Sequence, residues 1–482
     1  MGARLRPGTC PLRTHLAISI AAVGALLFCA GAPSESVASE QAVTMSTAGS
    51  SEWPQFQGGP AHLGTLDSST LVPPLRRVWR FDAPEKERGL SPPVIHGGLV
   101  IAVGREGVYA VHIEDGTLAW QLSRAGGVST PAPAIADAGH RTVLLFTDGE
   151  RAKDSRLRAY DAETQKHLWN APLDDVSTSG VSVDGDRAFV GDRSGTLYAV
   201  DVRSGKVAWK FRGSGVVRAP PAIEGGRVFA VAESSTGGAE LVGINEETGK
   251  RSWTFSPTQP SQLAASPTVS KGTVIVGFTD RSVYAINGET GAERWTAPMA
   301  SAASPLSAAA TVGMGSGEDV VVAGTLPLSA GTGLYRLAGQ TGERRWWFQF
   351  DSFSLLGSPV AVGRFVLLGL KDGRVVAVNA ETGREVWIGS TGAGAVGAFA
   401  LTSGDLAVAS KAGAHGGLVG LGPDPSGRLI DVQSPTVLHL GTSLLNYALA
   451  LLAVGGGVIV LATAIRRLRG RGQPRPGQGE LG

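Results

Sequence analysis

Glu247-Thr248-Gly249-Lys250-Arg251-Ser252-Trp253 returns as Glu289-Thr290-Gly291-Ala292-Glu293-Arg294-Trp295 and as Glu381-Thr382-Gly383-Arg384-Glu385-Val386-Trp387. Working outward, Trp stands at 79, 120, 169, 209, 253, 295, 346 and 387, at intervals of 41, 49, 40, 44, 42, 51 and 41 residues. Four positions before the last seven of these lie Gly116, Gln165, Gly205, Gly249, Gly291, Gly342 and Gly383. A period of 40–50 residues marks a chain built from one supersecondary unit used repeatedly.

The unit itself is β. Ahead of each turn runs an apolar stretch with a small residue near its middle, as in Leu197-Tyr198-Ala199-Val200-Asp201 and Val283-Tyr284-Ala285-Ile286-Asn287. Another β-rich run precedes it across a short connection such as Lys371-Asp372-Gly373, Asp280-Arg281-Ser282 or Arg105-Glu106-Gly107, which has hairpin chemistry. A short opening strand carries Ser/Ala-Pro, as in Ala219-Pro220-Pro221-Ala222-Ile223 and Gly357-Ser358-Pro359-Val360. No window holds a 3.6-residue period. Four strands in about 42 residues, repeated, predict a β-propeller. Gly makes up 68 of 482 residues without a three-residue period, which suits many tight turns and excludes collagen.

The blade count follows from the two ends of the repeat. Trp79 lacks the upstream turn glycine, since position 75 is Leu, so Leu75–Phe81 reads as an outer strand without a blade of its own. Residues 396–421 supply strands without a terminal Trp. Joining them gives seven whole blades and one composite, an all-β eight-bladed ring with no exposed edge at its seam. A seven-bladed ring with a separate N-terminal hairpin is the alternative.

Both termini carry membrane signals. Arg4, Arg6 and Arg13 precede an apolar run from Leu16 to about Ala30 and a small-residue stretch, the pattern of a secretory signal peptide. Leu444–Ile465 is apolar; 22 helical residues rise about 33 Å, enough for a ~30 Å hydrocarbon core. Arg466, Arg467, Arg469, Arg471 and Arg475 follow it, which predicts a cytoplasmic tail. The expected organisation is a signal peptide at 1–38, a lead-in segment at 39–74 and a propeller at 75–430. A juxtamembrane linker at 431–443, one C-terminal transmembrane helix at 444–465 and a basic tail at 466–482 complete it. The expectation is a single-pass type I membrane protein with its propeller outside the cytoplasmic membrane. Setting aside the eight Arg and two Glu of the ends leaves 35 basic against 39 acidic residues, about −4, which does not suit nucleic-acid binding.

The Trp–Gly repeat, Glu-Thr-Gly-x-x-x-Trp in its commonest form, resembles the docking motif of the quinoprotein, or PQQ-like, eight-bladed propellers. The opening Trp53-Pro54-Gln55-Phe56-Gln57-Gly58-Gly59-Pro60 and Val78-Trp79-Arg80-Phe81 are similar to how such chains begin. The resemblance spans roughly 53–430. It implies that Trp79, Trp120, Trp169, Trp209, Trp253, Trp295, Trp346 and Trp387 are structural docking residues, each stacked on the turn of a neighbouring blade. The family contains PQQ-dependent dehydrogenases, which hold Ca²⁺ with Glu, Asn and Asp and often carry adjacent cysteines. It also contains non-catalytic members similar to the β-barrel assembly lipoprotein BamB.

Several features favour the non-catalytic branch. The two cysteines, Cys10 and Cys29, both fall within the signal peptide, so the mature chain is expected to have no disulfide over a cofactor. The eight His show no metal-ligand spacing, and His62 reads as structural. Asp and Glu fall mainly at turns. No catalytic, metal or cofactor residue is therefore assigned; PQQ with Ca²⁺ belongs only to the alternative reading, a membrane-bound oxidoreductase. A sensor ectodomain is a further alternative. Arg344-Arg345-Trp346-Trp347-Phe348-Gln349-Phe350-Asp351-Ser352-Phe353 is the most aromatic segment, and aromatic residues with Arg are favoured at binding hot spots. Trp347, Phe348, Phe350 and Phe353 form a candidate interaction surface, with Arg218 a candidate contact for an anion at the channel mouth. The expected partner is an envelope protein or peptide, held by a non-enzymatic scaffold.

Overall fold

The computed structural model describes residues 53–427, apart from 68–69, 128, 235–237, 260, 262–264, 300–303, 306–309, 314–317, 326–331, 351–356, 393 and 414. The expected signal peptide and the 444–465 helix lie outside these residues. No helix among the described residues is long and apolar enough to cross a membrane.

The described chain is an eight-bladed, all-β propeller with four-stranded antiparallel meanders as blades. The inner strands of blades 1–5 are Val94–His96, Ala134–Asp137, Ser182–Asp184, Ala222–Glu224 and Thr268–Ser270. Blade 6 spans 304–350 and departs from the pattern, with two short segments, Ser304–Pro305 and Ala310–Gly313, both pairing with Glu318–Thr325. Blade 7 begins at Val360–Val362 and ends at Glu385–Ser390.

Blade 8 is the composite. Ala395–Leu401, Ala407–Ala412 and Gly417–Pro423 are joined by Leu75–Asp82, in antiparallel register from Leu75 opposite Pro423 to Asp82 opposite Gly417. The seam is fastened further by Lys411, whose buried ammonium pairs with the Asp82 carboxylate from the far end of the chain.

Burial explains the sequence pattern. Third strands such as Thr196–Asp201 are buried at every position but the last, because neighbouring blades cover both sheet faces. Outer strands such as Val207–Arg212 alternate partly buried with exposed residues. The apolar clusters therefore lie between blades, as where Val190 and Tyr198 of blade 3 meet Leu145 and Ala159 of blade 2.

Candidate binding surface

Three arrangements position the surface. The first is the joint between blades. The built Cβ of an alanine at Gly116, Gly205, Gly249, Gly291, Gly342 or Gly383 would lie 2.5–2.7 Å from Trp79, Trp169, Trp209, Trp253, Trp295 or Trp346 respectively. All six glycines have φ between 68° and 74°, so the residue type answers both to the left-handed turn and to the close approach of the indole. Each of these six Trp also donates its Nε1–H to a carbonyl of the next blade; Trp169, for instance, reaches the Val202 oxygen at 2.9 Å. Trp120 is different. The next blade offers Gln165 at φ 55° where the others have glycine, and the Trp120 Nε1–H is buried without a hydrogen-bond partner among the described residues.

The second arrangement, which the motif reading missed, fills the axis. Trp53–Leu66 runs across the inner strands and occupies their central amides. The Ile95 N–H donates to the Trp53 carbonyl, Ile135 to Pro54, Ile223 to Pro60, Val269 to Ala61 and Ala361 to Gly64, at 2.7–2.9 Å. At blade 3 the Gln55 side chain takes the same role, accepting from the Val183 N–H at 2.8 Å and donating to its carbonyl at 2.9 Å. Six blades are thus tied to one segment, and Thr65–Leu66 adds a parallel strand to blade 7. Gln57 and His62 both adopt φ near 55°, an uncommon backbone for these residues.

His62 is completely buried, with Nδ1 at 3.0 Å from the Pro267 carbonyl and Nε2 at 3.3 Å from Ser182 Oγ. Burial holds its pKa down to about 4, against an ordinary 6.5, and the Pro267 bond offsets only part of that shift. An imidazole neutral in the fold but basic in the unfolded chain adds stability that is complete above about pH 6.5. That stability is lost as the pH falls towards 4, at about 1.4 kcal/mol per pH unit and about 3 kcal/mol in all. Urea unfolding at pH 6.5 and pH 5, a window above most carboxylate titration, should show this slope. A His62→Gln chain should be flatter, and an equal slope in both would remove His62 as its cause.

The third arrangement is a polar latch on the third strands. Tyr109 donates to Glu87 at 3.1 Å, Tyr198 to Asp192 at 2.8 Å and Tyr284 to Asp280 at 2.5 Å. Burial first, and then the neighbouring carboxylate, raises the Tyr109 pKa; Tyr284 is pushed up to about 12. In blade 2 an arginine takes the tyrosine's place, with Arg158 Nη1 at 3.0 Å from Asp148. The sequence signal was present as Val-Tyr-Ala in blades 1 and 5 and Leu-Tyr-Ala in blade 3. The carboxylates were not legible beside it because they come from two different loops.

Trp347 on the outer strand of blade 6 (Arg344–Phe350) is 46% exposed and stacks on Tyr335, with centroids 6.3 Å apart. Phe348 faces inward, packed on the cluster between blades 6 and 7. Phe350 closes the strand, its side chain lying outside what is described, and Phe353 lies outside the described residues. Arg218 is half exposed in the loop before blade 4 and pairs with Glu233 at 2.9 Å. The structure thus brings Trp347 and Phe348 onto one strand and leaves Arg218 on another blade.

A family model described as "Outer membrane protein assembly factor BamB" matches residues 76–152, 153–389 and 304–430. The Yersinia pestis protein of that name is 25% identical over 289 residues, covering 56% of this chain and 70% of the relative. Across several relatives of that name the chain covers between 41% and 70% of their length. A polyvinylalcohol dehydrogenase from Sphingopyxis sp. is 24% identical over 487 residues, covering 79% of this chain and 70% of its own. The crystal structure of BamB from Moraxella catarrhalis superposes with a TM-score of 0.54 at 20% identity, covering 72% of this chain and 99% of that one. With the Trp–Gly joints, the eight blades and a family match running from residue 76 to 430, this chain belongs to the PQQ-like β-propeller family, the one described for outer membrane protein assembly factor BamB.

Proposed function

We propose that this protein is a non-enzymatic scaffold of the cell envelope that holds another protein or peptide on the rim of its propeller. The observation that carries this reading is the filled axis. Six inner-strand amides that a channel would offer to a ligand are already bonded to Trp53–Leu66 or to Gln55. Binding capacity then falls to the loops and outer strands, where a rigid ring presents them at low ordering cost. Membership of a family named for an assembly factor supports the same reading. The helix expected at 444–465 would anchor the scaffold, with the propeller outside and the arginine tail inside.

The second reading, a quinone-dependent oxidoreductase, is favoured by the dehydrogenase among the relatives. The side chains present do not fit it. A hard cation beside a quinone needs converging oxygen donors. Among the described residues no three His, Cys, Asp or Glu converge in that way. The buried Glu87 and Asp192 carboxylates are already engaged by backbone amides and tyrosines.

The readings part in one experiment. PQQ and Ca²⁺ are added to the purified chain, which is assayed for a bound-quinone spectrum and for dye reduction with alcohols. The scaffold reading expects neither, and an envelope protein that co-purifies with the wild type but not with Trp347→Ala or Phe350→Ala. Dye reduction would sink it. Protease added to intact spheroplasts should remove the propeller, whereas protection of residues 40–440 would overturn the topology.

A further inference from the structure

The six glycine joints between blades obey one rule. The indole Nε1–H donates to the carbonyl three residues before the turn glycine, as at Val202 before Gly205 and Ala380 before Gly383. Applied to Trp120, the rule names the Ala162 carbonyl, three residues before Gln165. That oxygen is taken. The Gln165 side chain turns back on its own turn and donates Nε2–H to the Ala162 carbonyl at 3.0 Å and to that of Glu163 at 2.7 Å. The backbone of this turn is ordinary: the Gln165 N–H reaches the Asp161 carbonyl at 2.9 Å, as the Gly205 N–H reaches that of Asp201. The side chain alone makes the difference.

Its presence weakens the joint in two ways. A buried N–H without an acceptor costs the desolvation of the donor, and the Trp120 indole has no acceptor among the described residues. A Cβ also stands where the six other joints seat an indole against bare glycine, a place where any Cβ would lie 2.5–2.7 Å from the ring. Turning the glutamine outward would free the carbonyl but leave that Cβ in the way. The opposite end of the same joint, where loops connect the blades, is pinned. Arg124, only 6% exposed, donates to the Thr147 carbonyl of blade 2 at 3.0 Å and to the Gly104 carbonyl of blade 1 at 2.8 Å. The Ala125 N–H reaches the buried Asp148 carboxylate at 3.0 Å, and Arg105 of blade 1 pairs with Glu150 of blade 2 at 3.0 Å.

We propose that the joint between blades 1 and 2 is the hinge of the ring: pinned at its loop end by Arg124 and unlatched at its turn end by Gln165, it opens ahead of the six glycine joints. As it opens, the indole of Trp120 leaves the turn of blade 2, and water enters the apolar cluster where Ala162 and Tyr160 pack beside it. The motion breaks no indole hydrogen bond. The same motion at Trp169 would break the bond to Val202. Local opening of this kind proceeds below the free energy of global unfolding. One residue that departs from the repeat therefore sets where the ring yields.

Two equivalent buried positions supply the test. Ala162 and Val202 hold the same place in their turns, at 5% and 0% exposed, and the chain has only two cysteines, Cys10 and Cys29. In a full chain with both replaced by serine, Ala162→Cys or Val202→Cys is introduced and its labelling by a thiol reagent is timed in native buffer. The thiol at 162 should react about tenfold faster than that at 202, the factor one hydrogen bond contributes. Adding Gln165→Gly should slow the thiol at 162 to the rate at 202. By itself, Gln165→Gly should raise the thermal midpoint by a few degrees, because the indole regains both its seat and its acceptor. Equal rates at the two positions, or a rate at 162 that Gln165→Gly leaves unchanged, would overturn the hinge. Hydrogen exchange of the indole N–H makes the same comparison without an added thiol. The Trp120 signal should exchange about tenfold faster than that of Trp169 in the natural chain, and match it in Gln165→Gly. Exchange no faster than at Trp169 would overturn the proposal as well.

Discussion

Replacing Trp169 by alanine is expected to lower stability by about 3–5 kcal/mol, the range for a large buried aromatic. Its indole closes the joint between blades 2 and 3, covering Gly205 and donating to the Val202 carbonyl. Gly205→Ala should be destabilising in the same direction from the other side of the joint. It would place a Cβ 2.6 Å from the indole and force a non-glycine residue to φ 71°. The two changes act on one contact, so their combined cost should fall short of the sum. Trp120→Ala is the informative contrast. Its indole N–H has no partner to lose, so its cost should be smaller than that of Trp169→Ala by about 1 kcal/mol. Denaturant titrations of the four chains would decide it, and equal costs for Trp120 and Trp169 would show that the hydrogen bond contributes little.

Removing residues 1–82 should have a larger effect still, the loss of a soluble monomer. The cut takes away the outer strand of blade 8 and leaves Gly417–Pro423 as a bare edge. It also strips the central amides of six blades of their acceptors and leaves Lys411 buried without its counter-charge. A cut ending at residue 66 separates the contributions, because the ring can still close while the axis stays open. That chain should remain soluble but unfold at lower denaturant. Size-exclusion profiles and unfolding curves of both chains measure the difference. A well-behaved monomer from the longer truncation would refute the closure.

The joints were legible in the sequence because Gly and Trp recur at a fixed spacing in six of the seven repeats, so each instance supports the others. The composite blade was legible for the opposite reason: Trp79 has the strand without the turn, and 396–421 have strands without the Trp. The filled axis was not. Gln55 and His62 act by position rather than by period, and their partners Val183, Ser182 and Pro267 lie 120 or more residues away. The inner-strand amides gave no sign either, since Ile95, Ile135 and Ile223 look like ordinary core residues whose backbones happen to face the axis. Trp347 stood out as surplus to the joints and lies 46% exposed, whereas its neighbour Phe348 turned inward because alternate residues of a strand face opposite ways.

The pairing of Leu75 with Pro423 also sets the order in which the chain can finish folding. Residues 53–82 emerge from the ribosome before every strand they bond to, and the last of those strands comes some 340 residues later. Bringing two such distant points together costs about 5 kcal/mol of chain entropy beyond a constant term. Contacts of that sequence separation are also the slow ones. Until the final strand arrives, Leu75–Asp82 lacks its strand partner, and the first and last finished blades each have a neighbour on one side only. The ring therefore closes only when its two ends meet.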